Sequence, residues 1–230
     1  MDGRYSFIPV QFCQGVYKMV LYSCINKIEY ETLVDNGVLE CDPKLVEMPI
    51  ESVEVAIAYK YMADKLRARY RSDLIYPRWG WFKYEGKSVI EQPDAFFASA
   101  PYTKSYLLKL DIKECLLSDF DAWHCCLNLC PLCYSEEEES EFDYWEDIAR
   151  LKHWDIFFKD NAYTYALRDR VIKTWDRVFD IYAENDYALY TNDYKSIQAV
   201  FWQIHQENVL DVKEIYVNEK NYNDYYKYLM

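Results

Sequence analysis

Three short apolar runs constrain this fold more than anything else in the chain. They are Met19 to Ile25 near the start, Tyr106 to Ile112 in the middle and Ala199 to Ile204 near the end. Each has the length of a strand, and the segments between them hold helical spacing and irregular connections. A doubly wound sheet would alternate strand and helix regularly, and this chain does not. The order implies an α+β domain with a split or mixed β-sheet and flanking helices, spanning about residues 19–217.

Local signals fill in that plan. Glu29 to Asn36 predicts a helix stopped by Gly37. From Glu51 to Arg71, apolar residues at Val55, Tyr59, Met62 and Leu66 share one helix face. Leu74 to Lys83 predicts an extended strand with Pro77 near its start, and residues 86–103 a long irregular connection. Cys115-Leu116-Leu117 predicts a short continuation of the Tyr106 strand. Ser118 or Asp119 then caps a helix running from about Asp121 to Leu129. Glu136 to Glu141 predicts a solvated acidic connection. Helices follow near Tyr144 to Trp154 and Tyr163 to Ala183, and a last strand over Val212 to Val217. Residues 218–230 read as a polar, Tyr-rich tail.

Charge and cysteine usage narrow the function classes. Lys and Arg number 26 against 39 Asp and Glu, a net −13, which opposes attachment to phosphate backbones and anionic membranes. A nucleic-acid partner is therefore not expected. The start lacks a secretory signal, and no apolar run reaches the roughly 20 residues that cross a bilayer, so a cytoplasmic protein is expected. Five of the eight cysteines crowd one segment, which argues for free thiols over a disulfide framework. Cys13, Cys24 and Cys41 stand singly in apolar surroundings, as buried thiols do.

Three constellations could carry chemistry. Cys115, His124, Cys125, Cys126, Cys130 and Cys133 include the residue types of a zinc site, but lack a separated second ligand pair, so no metal is expected. Cys130 and Cys133 have the spacing of a redox dithiol, yet a helix end and an acidic run flank them, and both disfavour the thiolate. Ser118, Asp119, Asp121 and His124 offer a carboxylate that could orient an imidazole for base work, or a helix cap with a histidine satisfied nearby. Trp79 and Trp81 alternate along one strand and share a face, as either a core wall or a platform for a planar ligand.

Several segments together resemble a family described only as domain of unknown function 3841. They are Leu21-Tyr22-Ser23-Cys24-Ile25-Asn26, Gly37-Val38-Leu39-Glu40-Cys41-Asp42, Ala58-Tyr59-Lys60-Tyr61-Met62, Tyr76-Pro77-Arg78-Trp79-Gly80-Trp81, Leu116 to His124 with Leu127-Asn128, Trp175 to Asp180 and Gln198 to Ile204. The family lacks the cysteine cluster, carries no assigned activity and usually begins near Met19, so the resemblance implies that residues 1–18 are an N-terminal extension. At the level of element order the chain also looks like an ADP-ribosyltransferase domain, in which a split sheet grips NAD. That likeness implies NAD as cofactor, with Asn26, Tyr76, Trp79 and Trp81 binding it and Gln198, Asp119 and His124 in catalytic positions. Gln198 stands where the superfamily commonly has glutamate, and an amide stabilises a developing cation less well than a carboxylate. The alternatives are a non-catalytic module for a nucleotide-like ligand, or an acidic protein-interaction module that occupies a basic surface on a host or phage factor.

Overall fold

The computed structural model describes residues 19–42, 53–88, 104–155, 161–183 and 193–216. The expected N-terminal extension, the tail, Cys13 and most of the 86–103 connection lie outside them. In chain order the elements are β1 (Leu21–Asn26), α1 (Lys27–Asn36), β2 (Val38–Glu40), α2 (Val53–Arg69), β3 (Arg78–Lys83), β4 (Lys104–Leu110) and β5 (Leu116–Asp119). Then come α3 (Phe120–Leu127), α4 (Glu136–Leu151), α5 (Ala162–Thr174) with a 3-10 turn over Trp175–Phe179, β6 (Ile197–Phe201), β7 (Gln203–His205) and β8 (Val209–Tyr216).

Local chemistry sets the helix ends. Asn26 caps α1 by accepting from the Glu29 amide at 2.9 Å, while the Glu29 carboxylate accepts from the Asn26 amide at 3.0 Å, a reciprocal capping box. Gly37 closes the helix at φ 73°, its N–H donating to Leu33 at 2.9 Å. The acidic run is not the connection expected from its charge. Ser135 caps α4 through the Glu138 amide, and Glu136 to Glu139 form the first turn, where negative charge complements the helix dipole.

The chain is α+β. A six-stranded sheet has the order β5-β6-β3-β1-β4-β8, with antiparallel neighbours throughout, and β2 and β7 form a second, two-stranded sheet. The strands around Leu21, Trp79, Leu108 and Phe201 therefore lie together in the large sheet, and the division comes where β6 passes into β7 at Trp202. Leu116 and Leu117 join β6 rather than extending β4.

Register sorts the large sheet into two faces. One carries Leu21, Ile25, Leu108, Leu110, Ala199 and Phe201, which pack with Leu33 of α1 and with Leu39 and Ile204 of the small sheet. Gly80 belongs to this face. A Cβ there would stand 3.1 Å from the Tyr22 carbonyl and 3.2 Å from the Phe201 ring, so glycine lets Phe201 close over β3. The opposite face carries Leu116, Ser118, Gln198, Val200, Trp79, Trp81, Tyr22 and Leu107. Its Leu116, Val200 and Trp79 pack with α2, α3, α4 and α5 in the main helical core. Full burial of such side chains contributes roughly 1.5–3 kcal/mol each.

Candidate functional site

The face shared by Trp79 and Trp81 changes character between them. Trp79 lies 5.1 Å from Trp123 and 6.0 Å from Tyr59, centroid to centroid, inside the helical core. Trp81 instead joins Tyr22 and Leu107 in a small separate cluster, with the rings of Tyr84 at 5.0 Å and Phe120 at 4.9 Å set edge-on to it. It is 6% exposed, and a ligand would meet its margin rather than its full face.

Polar groups border Trp81. Antiparallel pairing places Gln198 of β6 directly opposite Trp81 on one side and Ser118 of β5 on the other. Gln198 is 9% exposed and Ser118 0%, yet neither Gln198 Oε1 nor Ser118 Oγ has a hydrogen-bond partner among the described residues. A buried polar atom left without a partner costs about 1–3 kcal/mol, so two on adjacent strands are a local deficit. Of the two cap candidates in the sequence, Ser118 and Asp119, the cap is Asp119, and the Ser118 hydroxyl stays on the sheet face.

Asp119 ends β5 and begins α3. Its Oδ1 accepts from the amides of Asp121 at 3.0 Å and Ala122 at 3.2 Å, and its Oδ2 pairs with Lys195 Nζ at 3.3 Å. Lys195 is 3% exposed and also donates to the Ala183 carbonyl at 2.9 Å. The carboxylate is thus spent on a cap and a buried ion pair. Burial, and then the neighbouring Asp119 charge, push Asp121 above the usual carboxylate range, with His124 and Lys195 opposing.

His124 is exposed on α3. Its Nδ1 lies 2.9 Å from the Phe120 carbonyl, which can only accept, so the hydrogen-bond pattern assigns the proton to Nδ1 and leaves Nε2 as the acceptor of the neutral ring. The ring stands edge-on to Phe120 at 4.3 Å, and Phe120 in turn touches Trp81. Phe120 is the link that sequence reasoning missed, and only the cap geometry at Asp119 fixes its position.

The structure therefore brings Gln198 and Trp81 together, with His124 two ring contacts away through Phe120. It places Trp79 in the helical core, Asn26 in the capping box of α1 and Tyr76 before β3. Among the acidic residues of α4, Glu138 chelates Arg177 and Glu141 pairs with Arg170.

The cysteines scatter over several environments. Cys126 lies in the helical core and Cys115 under the opposite sheet face, whereas Cys130 is exposed. No disulfide joins the described cysteines, and among the described residues no group of three or more His, Cys, Asp or Glu is placed to hold a metal ion. Burial pushes the thiols up, Cys115 to about 12 and Cys133 to about 11. A separate open depression of about 460 Å³ is lined by Gly37, His205, Gln206 and Glu207, away from these residues. No helix among the described residues is long and apolar enough to cross a membrane.

The sequence profile of a family described as Domain of unknown function (DUF3841) matches residues 20–210. No curated protein and no solved structure matches the chain.

Proposed function

The chain belongs to the family of domain of unknown function 3841, which carries no assigned activity, and from the site alone we propose that it binds a ribose-bearing nucleotide of the NAD type. The observation that carries this is a pair of buried oxygens with no partner among the described residues, Gln198 Oε1 across the strand pair from Trp81 and Ser118 Oγ on the far side of Gln198. Ribose hydroxyls and carboxamide or amino N–H groups are donors of the kind that both oxygens can accept. The margins of Trp81 and Phe120 supply apolar area for a flat ring next to that polar pair.

In this reading the protein is ADP-ribosyltransferase-like in what it holds and weak in what it turns over. Transfer or hydrolysis of ADP-ribose needs negative charge near the anomeric carbon as positive charge develops there. Gln198 is neutral, and Asp119, the acidic candidate, is committed to its cap and to Lys195. Those engagements favour the non-catalytic form of the proposal. His124 keeps one ring nitrogen free to accept a proton, so residual turnover would run through it.

Binding would raise the melting temperature by linkage and quench tryptophan fluorescence. Titration with NAD, its adenosine half and nicotinamide separates the parts of the ligand. Ser118→Ala and Gln198→Leu should each abolish the shift while the protein still unfolds cooperatively. Identical melting curves and unchanged fluorescence with all three compounds would remove the proposal.

A further inference from the structure

A backbone hydrogen bond at the C-terminus of α3 joins two cysteines. Leu129 sits in the left-handed region at φ 53°, an uncommon conformation for a residue with a side chain. Around it, the Leu129 N–H donates to the Cys126 carbonyl at 3.1 Å and the Cys130 N–H to the Cys125 carbonyl at 2.9 Å. These are the two hydrogen bonds of a Schellman motif, which commonly brings together the side chains of the third residue before the cap and the second after it. Here those two positions are Cys125 and Cys130.

We propose that Cys125 and Cys130 form a reversible disulfide that locks the C-terminus of α3 under oxidising conditions. A disulfide requires Cα atoms about 4.4–6.8 Å apart, which suits two residues already joined by a backbone hydrogen bond. Cys130 is exposed and Cys125 half-buried, so an oxidant can reach the pair, whereas Cys126 is sealed in the core. The familiar two-residue spacing of Cys130 and Cys133 is not the pair the fold favours. Trp175 Nε1 donates to the Cys130 carbonyl at 2.9 Å, the Leu132 amide donates to Thr174 Oγ1 at 2.8 Å, and Arg177 donates to the Leu132 carbonyl, so three anchors hold this loop out along the 3-10 turn.

Electrostatics agree with the geometry. Burial first, then Cys130, raise the Cys125 thiol, so the two groups resist ionising together. The pair is stable as dithiol at neutral pH and oxidises through its scarce thiolate. With glutathione disulfide as oxidant, the two thiols lose two protons and two electrons, one S–S bond forms, and two molecules of glutathione leave. The lock acts on the helix that carries Phe120 and His124, and it stands independently of the nucleotide proposal.

The test uses the whole chain, exposed to glutathione disulfide, blocked with a maleimide and cut with chymotrypsin, which separates the two cysteines at Leu127 and Leu129. A Cys125–Cys130 linked peptide, lighter by two hydrogen atoms and released by dithiothreitol, is expected. Its rate should rise about tenfold per pH unit on the acid side of the thiol pKa. Cys130→Ser, at an exposed position, should abolish the link, and Cys133→Ser should leave it. A Cys130–Cys133 link, glutathione adducts without an internal link, or no loss of alkylatable thiols would each overturn the proposal.

Discussion

Trp79 and Trp81 stand two residues apart on one strand and one sheet face, yet they belong to different kinds of surroundings. Around Trp79 the neighbours are Trp123, Tyr59 and Val200, and helices complete the packing. Around Trp81 they are Gln198 and the edges of two rings, with Ser118 beyond Gln198, and two acceptor oxygens there, Gln198 Oε1 and Ser118 Oγ, have no partner among the described residues, where near Trp79 it is that residue's own indole N–H that has none. The helices decide this difference, because α2 and α3 cover the half of the face that holds Trp79. Shared periodicity shows which residues face the same way, and only packing shows what they face.

The largest test of this contrast is truncation. Trp79→Ala should cost about 3–5 kcal/mol in urea unfolding, and Trp81→Ala should fall at the lower edge of that range. Equal losses would make Trp81 an ordinary core residue. Next in size is the buried pair at the end of β5. Lys195→Met leaves the Asp119 carboxylate buried without its partner and should cost about 3 kcal/mol, most of it recovered in Asp119→Asn on the same background. No recovery would mean that Lys195 matters for its packing.

A third difference is in the thiols. Cys24 stands on the Trp81 side, where burial first and then the Glu29 charge raise it from 9.0 to about 12. Its folded pKa exceeds its unfolded one, so the folded state holds the proton longer, and stability is lost as pH climbs through that window. Cys24→Ala should flatten the alkaline fall by up to about 1.4 kcal/mol per pH unit, measured as the urea midpoint against pH. An unchanged slope would show that the thiol ionises freely in the folded protein. The smallest effect belongs to the polar pair. Ser118→Ala removes a buried oxygen that has no partner among the described residues and should raise the stability of the free protein by about 1 kcal/mol. A loss of stability would reveal a partner for that hydroxyl.

Much of the scaffold was legible in the residues. The three apolar runs became β1, β4 and parts of β6 and β7, the strand expected from Val212 became part of β8, and Gly37 ended α1 where a glycine stop predicts it. Three features were not legible, each for a physical reason. The acidic run at Glu136 reads as solvated because like charges repel, and it becomes a helix only because Ser135 caps it and the helix dipole favours those charges there. Val38-Leu39-Glu40 is too short to show a period. Ala199 to Ile204 reads as one strand, and only the second sheet shows that it breaks at Trp202. In the site, the sequence placed Asp119 near His124, but Asp119 turns to Lys195, a partner 76 positions along the chain that no local pattern reveals.

The strand order has a consequence for the making of the protein. β6 occupies the slot between β5 and β3, so β5 joins the sheet only through residues 197–201. Until they emerge from the ribosome, β3, β1 and β4 can pair only among themselves, and the Trp79–Trp81 strand offers an open aromatic edge to any other nascent chain. Closure joins residues far apart in sequence, the arrangement that folds slowly. A ribosome stalled short of Ile197 would therefore hold a chain prone to aggregate, and chaperone demand should peak just before β6 appears.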